Sequence, residues 1–228
     1  MKIVVLDGDV INPGDISWEP LEKLGEVVIH GHTPEEMIVE RAAGAEVLVT
    51  NKVPLRAATL SRLPGLRMVA VLATGYDIID TADAAAQGIP VCNVVAYGVD
   101  DVAQHAWALL LELCRRTSEH TASVRAGEWK DTWCYWKTTP VCLRGRTLGV
   151  IGFGSIGRRV GELGHAFGMS VLANCRTPRN PPSYSPFAFA SVDQILQQAD
   201  AISLHCPLND ATRAIIDAKA LALSLIHI

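Results

Sequence analysis

The chain has 228 residues, 49% apolar and 19% charged, enough for two compact cores and too apolar for a disordered chain. Its net charge of -4 offers no basic face to a phosphate backbone, so nucleic acid is not expected as a partner. No apolar run reaches the roughly 18 residues of a membrane span, and Asp7 and Asp9 interrupt the apolar start too early for a signal peptide.

Lys2–Asp7, Val27–His30, Glu46–Thr50, Met68–Ala73 and Pro90–Val94 read as strands rich in Val, Ile and Leu. Amphipathic or alanine-rich helices lie between them. At Thr33-Pro34-Glu35-Glu36 three helix-start signals agree: Thr33 as cap, Pro34 at the first helical position and Glu36 closing a capping box. Asp83–Gln87 followed by Gly88 reads as a helix end. Near-continuous apolar strands alternating with helices predict a parallel sheet covered on both faces. His30 and His32 alternate, but no third ligand is in view, so they are read as solvent-side and no metal site is expected. The six cysteines (Cys92, Cys114, Cys134, Cys142, Cys175, Cys206) are scattered without a C-x-x-C pair. That pattern fits a reduced, cytoplasmic protein.

Asp100–His120 predicts a long helix, with Val102, Ala106, Leu109, Leu110 and Leu113 at helical spacing. Its other side (Ala103, Trp107, Ala108) is also apolar, so it is expected to be buried between layers. Gly127–Cys142 is irregular and carries Trp129, Trp133, Tyr135 and Trp136. Tryptophans so close together are expected to be covered, by a partner subunit, by a ligand or by their own domain. A second series follows: strand Leu148–Gly152, helix Ile156–Phe167 stopped by Gly168, strand Ser170–Asn174, proline-rich loop Pro178–Pro186, helix Val192–Gln198 and strand Ala201–His205. The domain boundary is placed near Tyr97, dividing residues 1–97 from 98–222.

Thr147 to Gly157 runs from a strand through a glycine turn into a helix. Gly152 allows the tight turn, Gly154 clears the approach of a pyrophosphate, and Gly157 lets the helix pack on the strand. Backbone N–H groups near Ser155 and Ile156 would face the phosphates. The next strand should end in an acid for a ribose 2′-hydroxyl. Here Asn174-Cys175-Arg176-Thr177 stands instead. Arg176 suits a 2′-phosphate and Thr177 adds a hydroxyl, which tilts the cofactor toward NADP while leaving NAD open.

With these motifs the chain resembles the D-2-hydroxyacid dehydrogenases, and within them the glycerate dehydrogenase (hydroxypyruvate reductase) branch. The likeness runs from Met1 to about Ala222. It is carried by Thr50-Asn51-Lys52, Val71 to Asp77, Gly88 to Val91, Val102-Ala103-Gln104-His105, the glycine turn, and Val192 through Ser203 to Leu208. The resemblance implies two Rossmann-like parallel-sheet domains with an active site in the cleft between them. It implies a substrate domain and a nucleotide-binding domain, acting on a small 2-hydroxy or 2-keto acid. Backbone at Thr74 and Gly75 would hold the substrate carboxylate, with Lys52 nearby. Val102, Ser155, Ile156, Arg176, Cys206, Pro207 and Thr212 would line the cofactor site. His105 is given a structural role. A homodimer through the long helix and the tryptophan-rich stretch is expected for the full-length protein. A non-catalytic dinucleotide sensor of corepressor type on the same fold is the alternative.

The family's catalytic Arg, Glu and His would follow the segment Ala218–Leu223, and none of them has a counterpart here. Leu223–Ile228 reads LSLIHI, an in-frame translation of a transposon end used in sequencing libraries. The expectation is therefore a second domain that is incomplete at its C-terminus, with an exposed edge at Ala201–His205.

Overall fold

The computed structural model describes residues 1–224. The chain divides into two compact units, Met1–Tyr97 and the part from Gly98 onward. In chain order the first holds β1 (Lys2–Val5), α1 (Gly8–Ile11), α2 (Glu19–Glu22), β2 (Glu26–Ile29), α3 (Ile38–Arg41), β3 (Val47–Thr50), α4 (Ala57–Leu60), β4 (Met68–Val71), α5 (Thr81–Ala86) and β5 (Val91–Asn93). Its strands form one sheet in the order β2-β1-β3-β4-β5, parallel throughout. Alternation along β1 explains why the strand reads as a continuous apolar run. Val4 enters the core with Leu48, Leu55, Leu60 and Val69, while Ile3 and Val5 enter a second core with Val49 on the other face. Each fully buried Leu or Ile contributes about 1.5–3 kcal/mol of transfer free energy.

The second unit holds α6 (Val99–Arg115), α7 (Thr117–Arg125), β6 (Thr147–Ile151), α8 (Ser155–Ala166), β7 (Ser170–Asn174), β8 (Phe187–Phe189), α9 (Val192–Gln198), β9 (Ala201–Leu204) and α10 (Ala218–Leu223). Its sheet runs β8-β7-β6-β9, again parallel. Leu148 and Val150 of β6 pack under α6 and α8 with Ala103, Trp107 and Val160, and Ile151 meets α9 through Ile195 on the opposite face. The predicted α/β class with two Rossmann-like sheets is what the structure has. Strand β9 lies at a sheet edge. Leu223 ends α10 and Ser224 follows it as C-cap; residues 225–228 of the segment Leu223–Ile228 lie outside the described residues.

Several expectations are corrected. Thr33 caps nothing: it is buried and its hydroxyl accepts from Arg41 Nη1 at 3.1 Å. A 3-10 turn at Glu35–Met37 starts there instead, behind Pro34 and without a side-chain cap. The long helix is broken at Arg116, whose φ of 47° is left-handed. The Glu112 carboxylate turns back there to accept from the Thr117 hydroxyl and, at 3.1 Å, from Ser118 N–H, which starts α7. Nor is α6 buried between layers. Ala103, Trp107 and Cys114 face inward, while Leu113 is 74% exposed and Leu109 and Val102 are also open. The tryptophans are not folded onto their own unit: Trp129 and Trp136 are exposed and Trp133 is 96% exposed. Tyr135 is the aromatic that turns inward, its hydroxyl meeting Ser123 Oγ at 2.5 Å and donating to Glu128 Oε2 at 2.6 Å, where Lys137 also pairs at 2.7 Å.

Candidate functional site

In the second sheet the chain order reverses between β6 and β9, since β7 and β8 lie on one side of β6 and β9 on the other. In open α/β sheets the crevice at the carboxyl ends of such strands is where ligands bind. The glycine turn occupies that place. Gly152 has φ +97°, and a Cβ there would overlap the backbone of His205 and Cys206 after β9. A Cβ on Gly157 would overlap the Gly152 carbonyl oxygen. A Cβ on Gly154 would meet nothing within 4 Å. Two of the three glycines are thus required by protein packing, and the third guards empty space.

That space lies at the N-terminus of α8. Gly154 is its N-cap and supplies no side-chain cap, whereas Ser191 and Asp217 cap α9 and α10 in the same unit. The first N–H groups of a helix have no intrahelical acceptor and carry the positive end of its dipole. Around Ser155 and Ile156 the arrangement can therefore accept an anionic group of a dinucleotide such as NAD or NADP.

The neighbouring strand ends converge on the turn. Gly152 and Phe153 N–H both donate to Asn174 O, at 2.9 and 3.0 Å, and Asn174 Nδ2 donates to Ala190 O at 3.0 Å. Beyond Asn174, Cys175 is half-buried against the core, while Arg176 and Thr177 are exposed. On the other side Cys206 is half-buried beside Ile151. The Thr212 hydroxyl donates to Pro207 O at 2.5 Å and accepts from Asn209 N–H at 2.9 Å, closing the turn after β9. His205 Nε2 lies 2.7 Å from Ser203 Oγ, and burial holds the imidazole below its ordinary pKa. Val102 is exposed in the first turns of α6, where its N–H donates to Gly98 O. Arg158 was missed by sequence reading. It is half-buried, and its guanidinium lies 4.8 Å from the Phe153 ring centroid.

In the first sheet the order reverses between β1 and β3. Lys52, exposed, follows β3. Its backbone N–H donates to Asp7 Oδ2 at 2.5 Å, and Asn51 N–H donates to the same carboxylate at 2.9 Å. Asp7 is only 1% exposed. Its role too was missed. The available signal was an acid directly after an apolar strand. Thr74 and Gly75 follow β4 and are exposed. The Thr74 hydroxyl donates to Val94 O at 3.0 Å, and Asn93 Nδ2 donates to Thr74 O at 2.8 Å. Near Gly75 an added Cβ would meet only Asp77 Oδ1, at 3.4 Å. Lys52, Thr74 and Gly75 thus stand at the carboxyl ends of adjacent strands of one sheet. Asn51 Oδ1 is buried there with no hydrogen-bond partner among the described residues. Among the described residues no group of His, Cys, Asp or Glu is placed to hold a metal ion.

Two parallel sheets and a glycine turn at a reversal of strand order define a dinucleotide-binding α/β protein. The family model for the D-isomer specific 2-hydroxyacid dehydrogenase NAD binding domain matches residues 107–225, and the chain belongs to that family. It is 39% identical over 227 residues to a hydroxypyruvate reductase of Blautia hydrogenotrophica, covering 97% of this chain and 70% of the relative. A glycerate dehydrogenase of Methylorubrum extorquens is 41% identical over 191 residues, covering 83% of this chain and 58% of the relative. Among solved structures, an acyclic imino acid reductase in complex with NADPH and D-Arg superposes with a TM-score of 0.84 at 26% identity, covering 98% of this chain and 71% of that one. No helix among the described residues is long and apolar enough to cross a membrane.

Proposed function

We propose that the protein is the cofactor- and substrate-binding part of an NAD(P)-dependent D-2-hydroxyacid dehydrogenase that reduces hydroxypyruvate, glyoxylate or a similar small 2-keto acid in the cytoplasm. The observation that carries this reading is the uncapped N-terminus of α8 facing open space at Gly154. The names of the relatives supply the substrate class. When bound, the nicotinamide supplies hydride to a keto carbon. Gly152, Gly154, Ser155, Ile156 and Gly157 would hold its pyrophosphate through backbone N–H groups. Arg176, flanked by Cys175 and Thr177, would meet a 2′-phosphate, and Val102, Cys206, Pro207 and Thr212 would complete the surround. At the first sheet Lys52 would attract the substrate carboxylate, and backbone at Thr74 and Gly75 would orient it.

The chain spans 70% of the hydroxypyruvate reductase and 58% of the glycerate dehydrogenase. Turnover is therefore tested on a protein of the relatives' full length. The full-length protein would pair with a second copy through the open side of α6, with Leu109 and Leu113, and through the exposed Trp129, Trp133 and Trp136. The test is a rate measurement on the full-length gene product with hydroxypyruvate and glyoxylate, using NADH and NADPH. Saturable oxidation of either cofactor with either acid is expected. A protein that binds the cofactor but turns over neither acid would refute the substrate assignment.

A further inference from the structure

The glycine-turn helix does more than present N–H groups. Arg158, one residue beyond the third glycine, is half-buried and reaches in two directions. On one side its guanidinium lies over the ring of Phe153, 4.8 Å from the centroid. Phe153 stands between the first two glycines of the turn and is itself buried, its ring tilted against that of Phe187 and edge-on to that of Phe189. On the other side Nη1 donates to Asn180 O at 2.8 Å and Nη2 donates to Arg179 O at 3.1 Å. Those carbonyls belong to the loop between β7 and β8, and Asn180 adopts a left-handed φ of 52° to present its own. The same loop carries Arg176, exposed and without a hydrogen-bond or ion-pair partner among the described residues. Further along, Tyr184 stacks on His165 of α8, with 4.9 Å between centroids. The loop bearing Arg176 is therefore tied to the phosphate-binding helix at two points, and the Arg158 tie, at residues 179 and 180, meets the loop nearer Arg176 than the tie at Tyr184 does.

Arginine is the side chain that suits this position. Its planar fork donates to two carbonyls at once while its face stays on an aromatic ring, which a lysine ammonium does not do. No carboxylate pairs with Arg158 among the described residues. Arg158 thus adds a positive charge beneath the loop.

We propose that Arg158 is a positioning residue that sets the preference for a 2′-phosphorylated over an unphosphorylated adenosine cofactor, by locking the Arg176 loop against the phosphate-binding turn. This rests on the assignment of Arg176 to a 2′-phosphate.

The test uses the whole chain and two readouts. The first is the rate of limited tryptic cleavage after Arg176 and Arg179, which needs no cofactor. The second is the ratio of NADH to NADPH dissociation constants from fluorescence titration. In Arg158→Ala, cleavage should accelerate and the ratio should fall about fivefold or more, through weaker NADPH binding with NADH nearly unchanged. Arg158→Lys should lie between. Should Arg158→Ala fail to fold, Phe153→Leu removes the ring face, keeps the apolar volume and should move both readouts the same way. Unchanged cleavage in Arg158→Ala overturns the proposal, and so does equal weakening of NADH and NADPH, which is what a merely structural role would give. Arg176→Ala separates the underlying assignment. If that variant leaves the ratio unmoved, Arg176 does not read the 2′-phosphate, and Arg158 does not set the preference even if it holds the loop.

Discussion

The two sheets have equivalent places where strand order reverses, and they treat them in opposite ways. In the first, between β1 and β3, the buried Asp7 carboxylate accepts the N–H groups of Asn51 and Lys52. An anion belonging to the protein fills the crevice. In the second, between β6 and β9, the N-terminus of α8 has no side-chain cap, and Gly154 leaves room in front of it. Both crevices offer backbone donors at the carboxyl edge of a parallel sheet. One is satisfied internally and becomes a rigid mount for Lys52. The other is left for an anion from outside. The topology makes the donors, and a single side chain decides whether the place binds or supports.

The largest expected effect separates the glycines of the open crevice. Gly157→Ala drives a methyl into the Gly152 carbonyl oxygen and should cost the second unit about 3 kcal/mol or more in urea unfolding. Gly154→Ala meets nothing. It should change stability by less than about 0.5 kcal/mol yet weaken NADPH about tenfold or more by filling the phosphate approach. If both variants lost stability alike, the distinction between packing and binding glycines would fail.

Next is the closed crevice. Asp7→Ala strands two part-buried N–H groups and should cost about 2–4 kcal/mol, while Asp7→Asn, which keeps an acceptor, should cost roughly half as much. Chemical denaturation checks both. An Asp7→Ala protein as stable as the parent would show that the carboxylate does not hold the loop.

The smallest effect is a pH dependence at the edge of the open crevice. Burial holds His205 below its ordinary value of 6.5. Between its folded and unfolded pKa values the unfolded chain binds the extra proton, so stability falls as pH drops below about 6.5 and is unaffected above it. His205→Gln should flatten that part of the stability curve. A slope unchanged by the substitution would assign the dependence to other groups.

Much of the fold was legible because both sheets are parallel and covered on both faces. Ser170–Asn174 and Val192–Gln198 were readable to the residue, without competing signals. The glycine turn was legible because backbone geometry restricts its residue types. The misses share one physical cause, competition from partners that local periodicity and capping patterns do not mark. Thr33 had a capping sequence, but Arg41 claims its hydroxyl. The long helix had continuous periodicity, but the Glu112 side chain captures the next turn. Strand β8 was hidden because Phe187–Phe189 follows a proline-rich loop and is ordered by pairing with β7. Asp7 and Arg158 were invisible as site residues for the same reason: each acts on backbone far away in sequence, and nothing local marks them.

Between β6 and β9 the N-terminus of α8 faces open space that a dinucleotide could enter. Fluorescence titration of the chain with NADPH and NADH, in parallel with thermal melting, tests it most directly. Saturable binding to the parent is expected, with NADPH held about tenfold or more weakly by Gly154→Ala and an unchanged melting transition. A parent chain that melts cooperatively yet binds neither cofactor, or a Gly154→Ala chain that binds as well as the parent, would contradict it.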